Sequence, residues 1–286
     1  IDTPFFNPVT GKYIQTREPR ISLLDSLSAW KSSNIDVMYE KNDVGDKELN
    51  MINMKKSAAK SQMVEQMMGL TFSSGIFLQT TVHVGEQYEV GGGIPLKKLK
   101  FMRGNIKLKD APEKLSFYTS NCWWCVDSFP LLDDERKVEF PYDEHDNLKG
   151  DTDLIRLTVV NLRGKSGRSG MPFNIVVSQS DGINEHLTNY LYVKETSRFG
   201  IGGNLQNYHM DLYPDVRLSR KSIRRLCEED ELLQRALEIT SEMLQLRHFH
   251  SIDEKYYITP AQLYAGLKEK GFDWKVLLNT RGWYTW

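Results

Sequence analysis

The first candidate for chemistry is a Cys-x-x-Cys unit, Cys122-Trp123-Trp124-Cys125. A redox pair with this spacing needs an electropositive setting, usually a helix N-terminus, that lowers the pKa of one thiol. Here the unit lies in an aromatic run that is typical of a strand. A four-thiolate zinc site needs a second cysteine pair, and only Cys227 remains. We therefore interpret the cysteines as structural thiols, with metal binding and redox chemistry as the alternatives.

Histidines and acidic clusters are the other candidates. His248 and His250 have no third ligand at a known metal-binding spacing, so a surface or helix-capping role is expected. The acidic segments 133–135 and 143–146 could support acid–base catalysis or calcium binding, but neither has the spacing of a calcium-binding loop. No serine elbow, phosphate-binding loop or dinucleotide fingerprint is present. The prediction is a non-enzymatic protein without cofactors, and an enzyme on a β scaffold is the least favoured alternative.

Two basic clusters could contact phosphate groups. The candidates to face nucleic acid are Lys97, Lys98, Lys100, Arg103, Arg217, Arg220, Lys221, Arg224 and Arg225. The net charge of −1 excludes a uniformly basic nucleic-acid coat but not a local basic face. The default interpretation is solvated charge or pairing with acidic loops. Because positive charge at a helix N-terminus opposes the macrodipole, the second cluster should have partners or lie just before the true helix start.

The elements that must position these residues fall into strands and helices. The 286 residues, 40 % of them hydrophobic, are enough to build a core without disulfides. Hydrophobic periodicity predicts strands at 76–84, 99–109, 115–126, 136–142, 154–160, 172–178 and 186–193. It predicts a short amphipathic turn or helix near 21–30, and helices near 46–68 (ended by Gly69), 219–247 and 260–270 (opened by Thr259-Pro260 and ended by Gly271). Because no helix between the central strands is long enough for a parallel crossover, an antiparallel sandwich or barrel is expected.

Four central segments occur in an order that points to one family. Residues 101–108 are Phe-Met-Arg-Gly-Asn-Ile-Lys-Leu, and residues 138–142 are Val-Glu-Phe-Pro-Tyr. A strand-like run that ends in Asn-Leu at 157–162 and one that begins Met-Pro at 171–177 follow. In this order they resemble the capsid proteins of picorna-like insect viruses, with Asn105 where that family prefers Ser.

The resemblance implies a viral jelly roll, which is an antiparallel β-sandwich. We therefore expect a mostly β fold with an extended and helical N-terminal arm at 1–70, a jelly-roll domain at 71–210 and a helical C-terminal extension at 211–286. The implied function is a structural capsid protein that self-assembles with related subunits into an icosahedral shell around an RNA genome. The expected location is the virion, assembled in the host cytoplasm. The missing initiator Met agrees with a polyprotein cleavage product, and no apolar run is long enough to span a membrane.

Subunit contacts are expected on the two flanking regions, because these carry apolar side chains that a lone globule would have to hide. The candidates are Met63, Met67, Met68, Trp283, Tyr284 and Trp286. Expected partners are other capsid subunits, with genomic RNA on the inner face. The main alternative is a ligand- or carbohydrate-binding β-sandwich module in which Trp123, Trp124 and Tyr142 are stacking platforms.

Overall fold

The chain folds into two units, an N-terminal unit of residues 1–122 and a C-terminal unit of residues 123–286. This computed structural model describes residues 2–15, 18–41, 51–86, 101–103, 106–142, 152–165, 168–204, 206–249 and 253–279. Many strands are antiparallel and lie in several sheets beside helices. The expectation of many antiparallel strands is confirmed, within a fold that combines strands and helices.

In its described residues, the N-terminal unit combines three two-stranded sheets with three helices. Its strands are β1 (Asp2–Asn7), β2 (Lys12–Gln15), β3 (Arg20–Leu24), β4 (Ile76–Thr80), β5 (Val84–Glu86) and β6 (Ile106–Leu108). Its helices are α1 (Ser33–Lys41), α2 (Ile52–Ser74) and α3 (Glu113–Tyr118). The pairs β1–β2 and β5–β6 are antiparallel, whereas β3–β4 is parallel. The parallel pair departs from the antiparallel expectation, because α1 and α2 supply the connection that parallel neighbours need.

The N-terminal unit has a small core. Leu27 from the turn after β3, Val64 of α2 and Leu115 of α3 are buried together. Of the short amphipathic turn or helix predicted at 21–30, the structure shows the end of β3 followed by a turn at 25–29, so the turn is confirmed and the helical alternative is wrong. The predicted stop of α2 at Gly69 is also wrong: the helix continues to Ser74, and Gly75 ends it in the left-handed conformation with φ of 65°.

The C-terminal unit carries the larger core. Its strands are β7 (Asn121–Pro130), β8 (Leu154–Gly164), β9 (Pro172–Ser178), β10 (Gly182–Ile183), β11 (Ile201–Gly203), β12 (Tyr208–Met210) and β13 (Tyr213–Leu218). Its helices are α4 (Glu185–Glu195), α5 (Ile223–Glu229), α6 (Glu231–Phe249), a 3₁₀ turn (Glu254–Tyr256), α7 (Pro260–Glu269) and α8 (Trp274–Asn279). The sheets have the orders β10-β9-β8-β7 and β11-β12-β13. The predicted strands at 154–160 and 172–178 are confirmed as β8 and β9.

Helix α4 packs on one face of the four-stranded sheet. The Asn184 side chain caps it by accepting from the Leu187 N–H at 2.9 Å, and the Thr188 hydroxyl accepts from the Val176 N–H at 2.9 Å. The predicted strand at 186–193 is therefore wrong. Leu187, Tyr190 and Leu191 recur at helical spacing and are buried in the core. The Asn184 cap favours the helical periodicity over that of a strand.

The predicted helix at 219–247 is divided into α5 and α6. Asp230 breaks it with extended ψ of 97°, and its carboxylate accepts from the N–H groups of Leu232 and Leu233 at 3.0 and 3.1 Å. Because this cap starts a new helix, the long amphipathic pattern does not imply one continuous element.

Two predicted central strands are also corrected. The segment 115–126 contains the end of α3 and the start of β7. The segment 136–142 forms a loop with a single bridge between Leu132 and Val138, although Phe140 at its centre is buried in the core. Pro141 cannot donate to a ladder, which agrees with the lack of an extended strand.

Candidate functional site

Exposed apolar side chains are concentrated in the N-terminal unit. Among the described residues of that unit, 15 large hydrophobic side chains are exposed and six are buried. In the described part of the C-terminal unit, 10 large hydrophobic side chains are exposed and 23 are buried. A soluble monomer rarely leaves large apolar patches in contact with water, and such patches mark interaction surfaces. The N-terminal unit is therefore the candidate for contacts with other molecules.

The β1–β2 hairpin shows this exposure on both faces. Phe6 and Tyr13 are cross-strand partners whose ring centroids lie 5.6 Å apart in an edge-to-face contact, and both are exposed. Phe5 and Ile14, on the opposite face by strand alternation, are exposed as well. A two-stranded hairpin is marginally stable by itself in water.

The β3–β4 pair, termed here the parallel ribbon, has one apolar exposed face. Ile21 pairs with Phe77, and Leu23 lies two residues further along β3 on the same face. These side chains are 72 %, 63 % and 70 % exposed, respectively. Parallel strands in proteins are ordinarily covered on both faces. The apolar alternation of Ile21 and Leu23 is the sequence signal that identifies this face, and the interpretation of 21–30 as a turn or helix missed it.

A third apolar surface lies on the four-stranded sheet. Arg156 and Asn174 contact Glu195 of α4 and therefore mark the face that the helix covers. Strand alternation places another six residues on the opposite face, in the register pairs Ile155–Val177, Leu157–Ile175 and Val159–Phe173. Val159 is buried, and the other five are partly buried. Such a face is typical of the inner side of a two-layered sheet.

The predicted subunit-contact residues have different positions. Met63 is partly buried and packs on the N-terminal core, Met67 is partly buried, and Met68 is exposed on α2. Three further candidates, Trp283, Tyr284 and Trp286, lie outside the described residues. Of the predicted stacking platforms, Trp123 and Tyr142 are exposed, whereas Trp124 is buried and cannot stack on a ligand.

The basic cluster at 217–225 is largely engaged in ion pairs. Arg220 pairs with Asp133, which belongs to one of the acidic segments noted in the sequence. Arg225 pairs with Glu229 along α5 at 2.7 Å. Arg220 precedes the first residue of α5, so the expectation of partners, or of a position before the helix start, is confirmed.

Arg224 is buried, and its guanidinium donates to Asp153 at 2.9 Å. Asp153 also accepts from the hydroxyl of Ser178 at 2.9 Å and from that of Ser180 at 3.2 Å. Burial alone would raise the pKa of Asp153, but the hydrogen bonds from Ser178, Arg224 and Ser180 lower it below its ordinary value. Arg224 therefore joins α5 to the sheet and is withdrawn from contact with phosphate groups.

The remaining nucleic-acid candidates divide into two sets. Arg103, Arg217 and Lys221 are exposed, and none of the three forms an ion pair with a described residue. Lys97, Lys98 and Lys100 lie outside the described residues. In the predicted basic cluster of the C-terminal unit, Arg217 and Lys221 are exposed and are close in sequence to the arginines that form ion pairs.

The cysteines and histidines form no catalytic arrangement in the part of the chain that the structure describes. Cys122 is partly buried, Cys125 is exposed, and burial raises the pKa of Cys227 to about 12. His248 accepts or donates a 3.0 Å hydrogen bond with the Tyr192 hydroxyl, near the end of α6. Within the described ranges, no group of three or more His, Cys, Asp and Glu residues could hold a metal ion.

Among the helices of the described segments, none is both long enough and apolar enough to cross a membrane. The chain matches no protein-family model and no curated protein.

Proposed function

We propose that this chain is a structural subunit of a protein shell, a capsid protein of the type that its sequence resembles. The observation that supports this proposal is the exposed apolar surface of the N-terminal unit, in particular the parallel ribbon and the β1–β2 hairpin. Repeated contacts between symmetry-related copies would cover these surfaces, and each contact could be modest in area. The N-terminal segment would then act as an arm that neighbouring subunits stabilise.

The jelly-roll architecture is part of the same proposal. A jelly roll has two layered antiparallel sheets, and the apolar face of Ile155, Leu157 and Ile175 has the composition of an inner layer. The described four-stranded sheet would supply one layer. Of the described candidates, Arg103, Arg217 and Lys221 remain as genome-facing residues in this proposal, because Arg220, Arg224 and Arg225 have carboxylate partners. Lys97, Lys98 and Lys100, outside the described residues, stay in the proposal as well.

Sedimentation velocity and negative-stain microscopy test the assembly. The purified chain at about 10 μM should form particles of uniform size. Replacing Ile21 and Phe77 with lysine should shift the population to small species, because two charges would lie in the buried contact. The matched control is Val276→Lys, an exposed apolar position in α8 of the C-terminal unit. A monomeric wild-type chain, or a ribbon variant that assembles like the control, would contradict the proposal.

Nuclease protection separates a capsid from other assemblies. Particles that enclose RNA should retain nuclease-resistant RNA, and the Arg217→Gln, Lys221→Gln double variant should retain less while still forming particles. The expected reason is the loss of two phosphate-neutralising charges per subunit. Particles that never contain protected RNA would support a protein assembly of another kind.

A further inference from the structure

An open cavity of about 530 Å³ lies at the turn that joins β11 to β12. Its described lining consists of Arg198, Gly203, Asn204 and Gln206. This lining contains one cation and two side-chain amides, and no carboxylate. Gly203 is required by the tight turn, because its φ is +86° and a Cβ there would lie 2.5 Å from the Asn207 carbonyl oxygen. The cavity is therefore electropositive and rich in hydrogen-bond donors.

The backbone holds Arg198 in an unfavourable conformation. After α4 ends, Ser197 and Arg198 both have φ of 54°, in the left-handed region that glycine normally occupies. The turn is closed by N–H donation from Arg198 to the Lys194 carbonyl at 3.3 Å and from Phe199 to the Val193 carbonyl at 3.0 Å. A glycine would form the same turn with less strain. The arginine at this position therefore has to be explained by its side chain.

The Arg198 guanidinium is fixed but electrically uncompensated within the described part of the chain. It lies 5.9 Å from the ring centroid of Tyr208, and its Nη2 donates to the Asn204 carbonyl at 3.4 Å. None of the described carboxylates pairs with it. Asn204 is itself held, because its side-chain oxygen accepts from the N–H groups of Gln206 and Asn207 at 3.0 and 2.7 Å. The guanidinium is thus held beside the cavity, with Nη2 engaged by the Asn204 carbonyl and its remaining N–H groups as the potential donors to a ligand.

From this arrangement we infer that the cavity is a binding site for an oxyanion, either a phosphate or a carboxylate. Both groups accept parallel hydrogen bonds from a guanidinium, which is the geometry that distinguishes Arg from Lys. Gln206 would add a neutral donor at the rim. The site is independent of the assembly surfaces proposed above, since it uses none of their residues.

The test measures the melting temperature of the full chain while phosphate or acetate replaces chloride at constant ionic strength. The wild-type melting temperature should rise and saturate, with half-saturation near about 1 mM, the range expected for one charged contact. Arg198→Gly should abolish this rise, because glycine fits the turn and removes the guanidinium. Ser197→Gly relieves the same strain one residue earlier and should keep the rise.

The comparison of the two glycine variants controls for the general stabilisation that phosphate gives to proteins, because this general effect acts on both variants equally. Arg198→Gln is the second variant. It keeps a polar side chain and should raise the anion concentration at half-saturation by about tenfold or more. A rise with phosphate alone assigns a phosphate ligand, and a rise with acetate assigns a carboxylate. The inference is overturned if neither anion gives a saturable rise, or if Arg198→Gly responds as Ser197→Gly does.

Discussion

The Nη2 atom of Arg224 lies 2.9 Å from the Oδ2 atom of Asp153, although 71 residues separate the two in sequence. Arg224 belongs to α5, whereas Asp153 immediately precedes β8 and also accepts from Ser178 at the end of β9. The Tyr142 ring lies 5.7 Å from the guanidinium carbon. This ion pair therefore connects a helix, two strands and a loop of the C-terminal unit.

Replacing Arg224 with methionine should strongly destabilise the chain. The substitution would keep most of the side-chain volume but would leave the Asp153 carboxylate without its cation, and we expect a loss of about 2–4 kcal/mol in the free energy of unfolding. Urea denaturation measures this loss. The control is Arg225→Met, whose exposed pair with Glu229 should contribute less than about 0.5 kcal/mol. Equal losses for the two variants would contradict the assigned role of the buried pair.

Acid should weaken the C-terminal unit through Asp153. Its pKa is below the ordinary value of 3.8 in the folded chain, so the folded state binds fewer protons than the unfolded state near that pH. The resulting stability is present above the unfolded pKa and is lost as pH falls through the folded pKa. Unfolding free energy measured between about pH 5 and pH 2 should fall less steeply for Asp153→Asn than for the wild type. Identical slopes would exclude this contribution.

Lys60 should be important for the stability of the N-terminal unit. It is buried in α2, and its Nζ donates to the carbonyl oxygens of Ser28 at 3.1 Å and Asp110 at 2.8 Å. Lys60→Met would leave both carbonyls without this donor and should cost about 1–3 kcal/mol. Hydrogen exchange should become faster around residues 26–30 and 108–112. Lys55→Met, at an exposed position of the same helix, should leave the exchange unchanged.

The start of α7 should depend on Thr259. Its hydroxyl accepts from the Gln262 N–H at 3.2 Å, and the Gln262 side chain accepts from the Thr259 N–H at 2.8 Å. Thr259→Ala should reduce the free energy of unfolding by about 1 kcal/mol. Thermal denaturation measures the change. Thr259→Ser keeps the accepting hydroxyl and should recover most of the lost stability, and a serine variant as unstable as the alanine one would contradict the cap.

Local signals explain which elements the sequence predicts correctly. The Thr259-Pro260-Ala261-Gln262 cap and the alternation in β8 and β9 depend on neighbours in the chain, and all three elements are confirmed. The sequence of helix α4 predicts a strand, because a short apolar run fits both the helical and the strand periodicity. The Asn184 cap distinguishes the two.

The candidate site was less predictable, because it depends on contacts between distant residues. The basic cluster at 217–225 and the acidic segment at 133–135 were both recognised, but only the fold shows that Arg220 meets Asp133. Asp153, the partner of Arg224, is a single aspartate before a strand and carries no distinctive sequence pattern. Arg198 carries no distinctive sequence pattern either.

The parallel ribbon has a consequence for the order of folding. Leu24 and Thr80 end its two strands, and the first pairing, Arg20 with Ile76, must bring together residues that are 56 positions apart. Closing a chain segment of this length costs entropy before any strand contact is gained, and the cost grows with the logarithm of its length. Once helix α2 has formed, it reduces the length of flexible chain between β3 and β4. The ribbon is therefore expected to be a late element of the N-terminal unit, assembled on a helix that is already present.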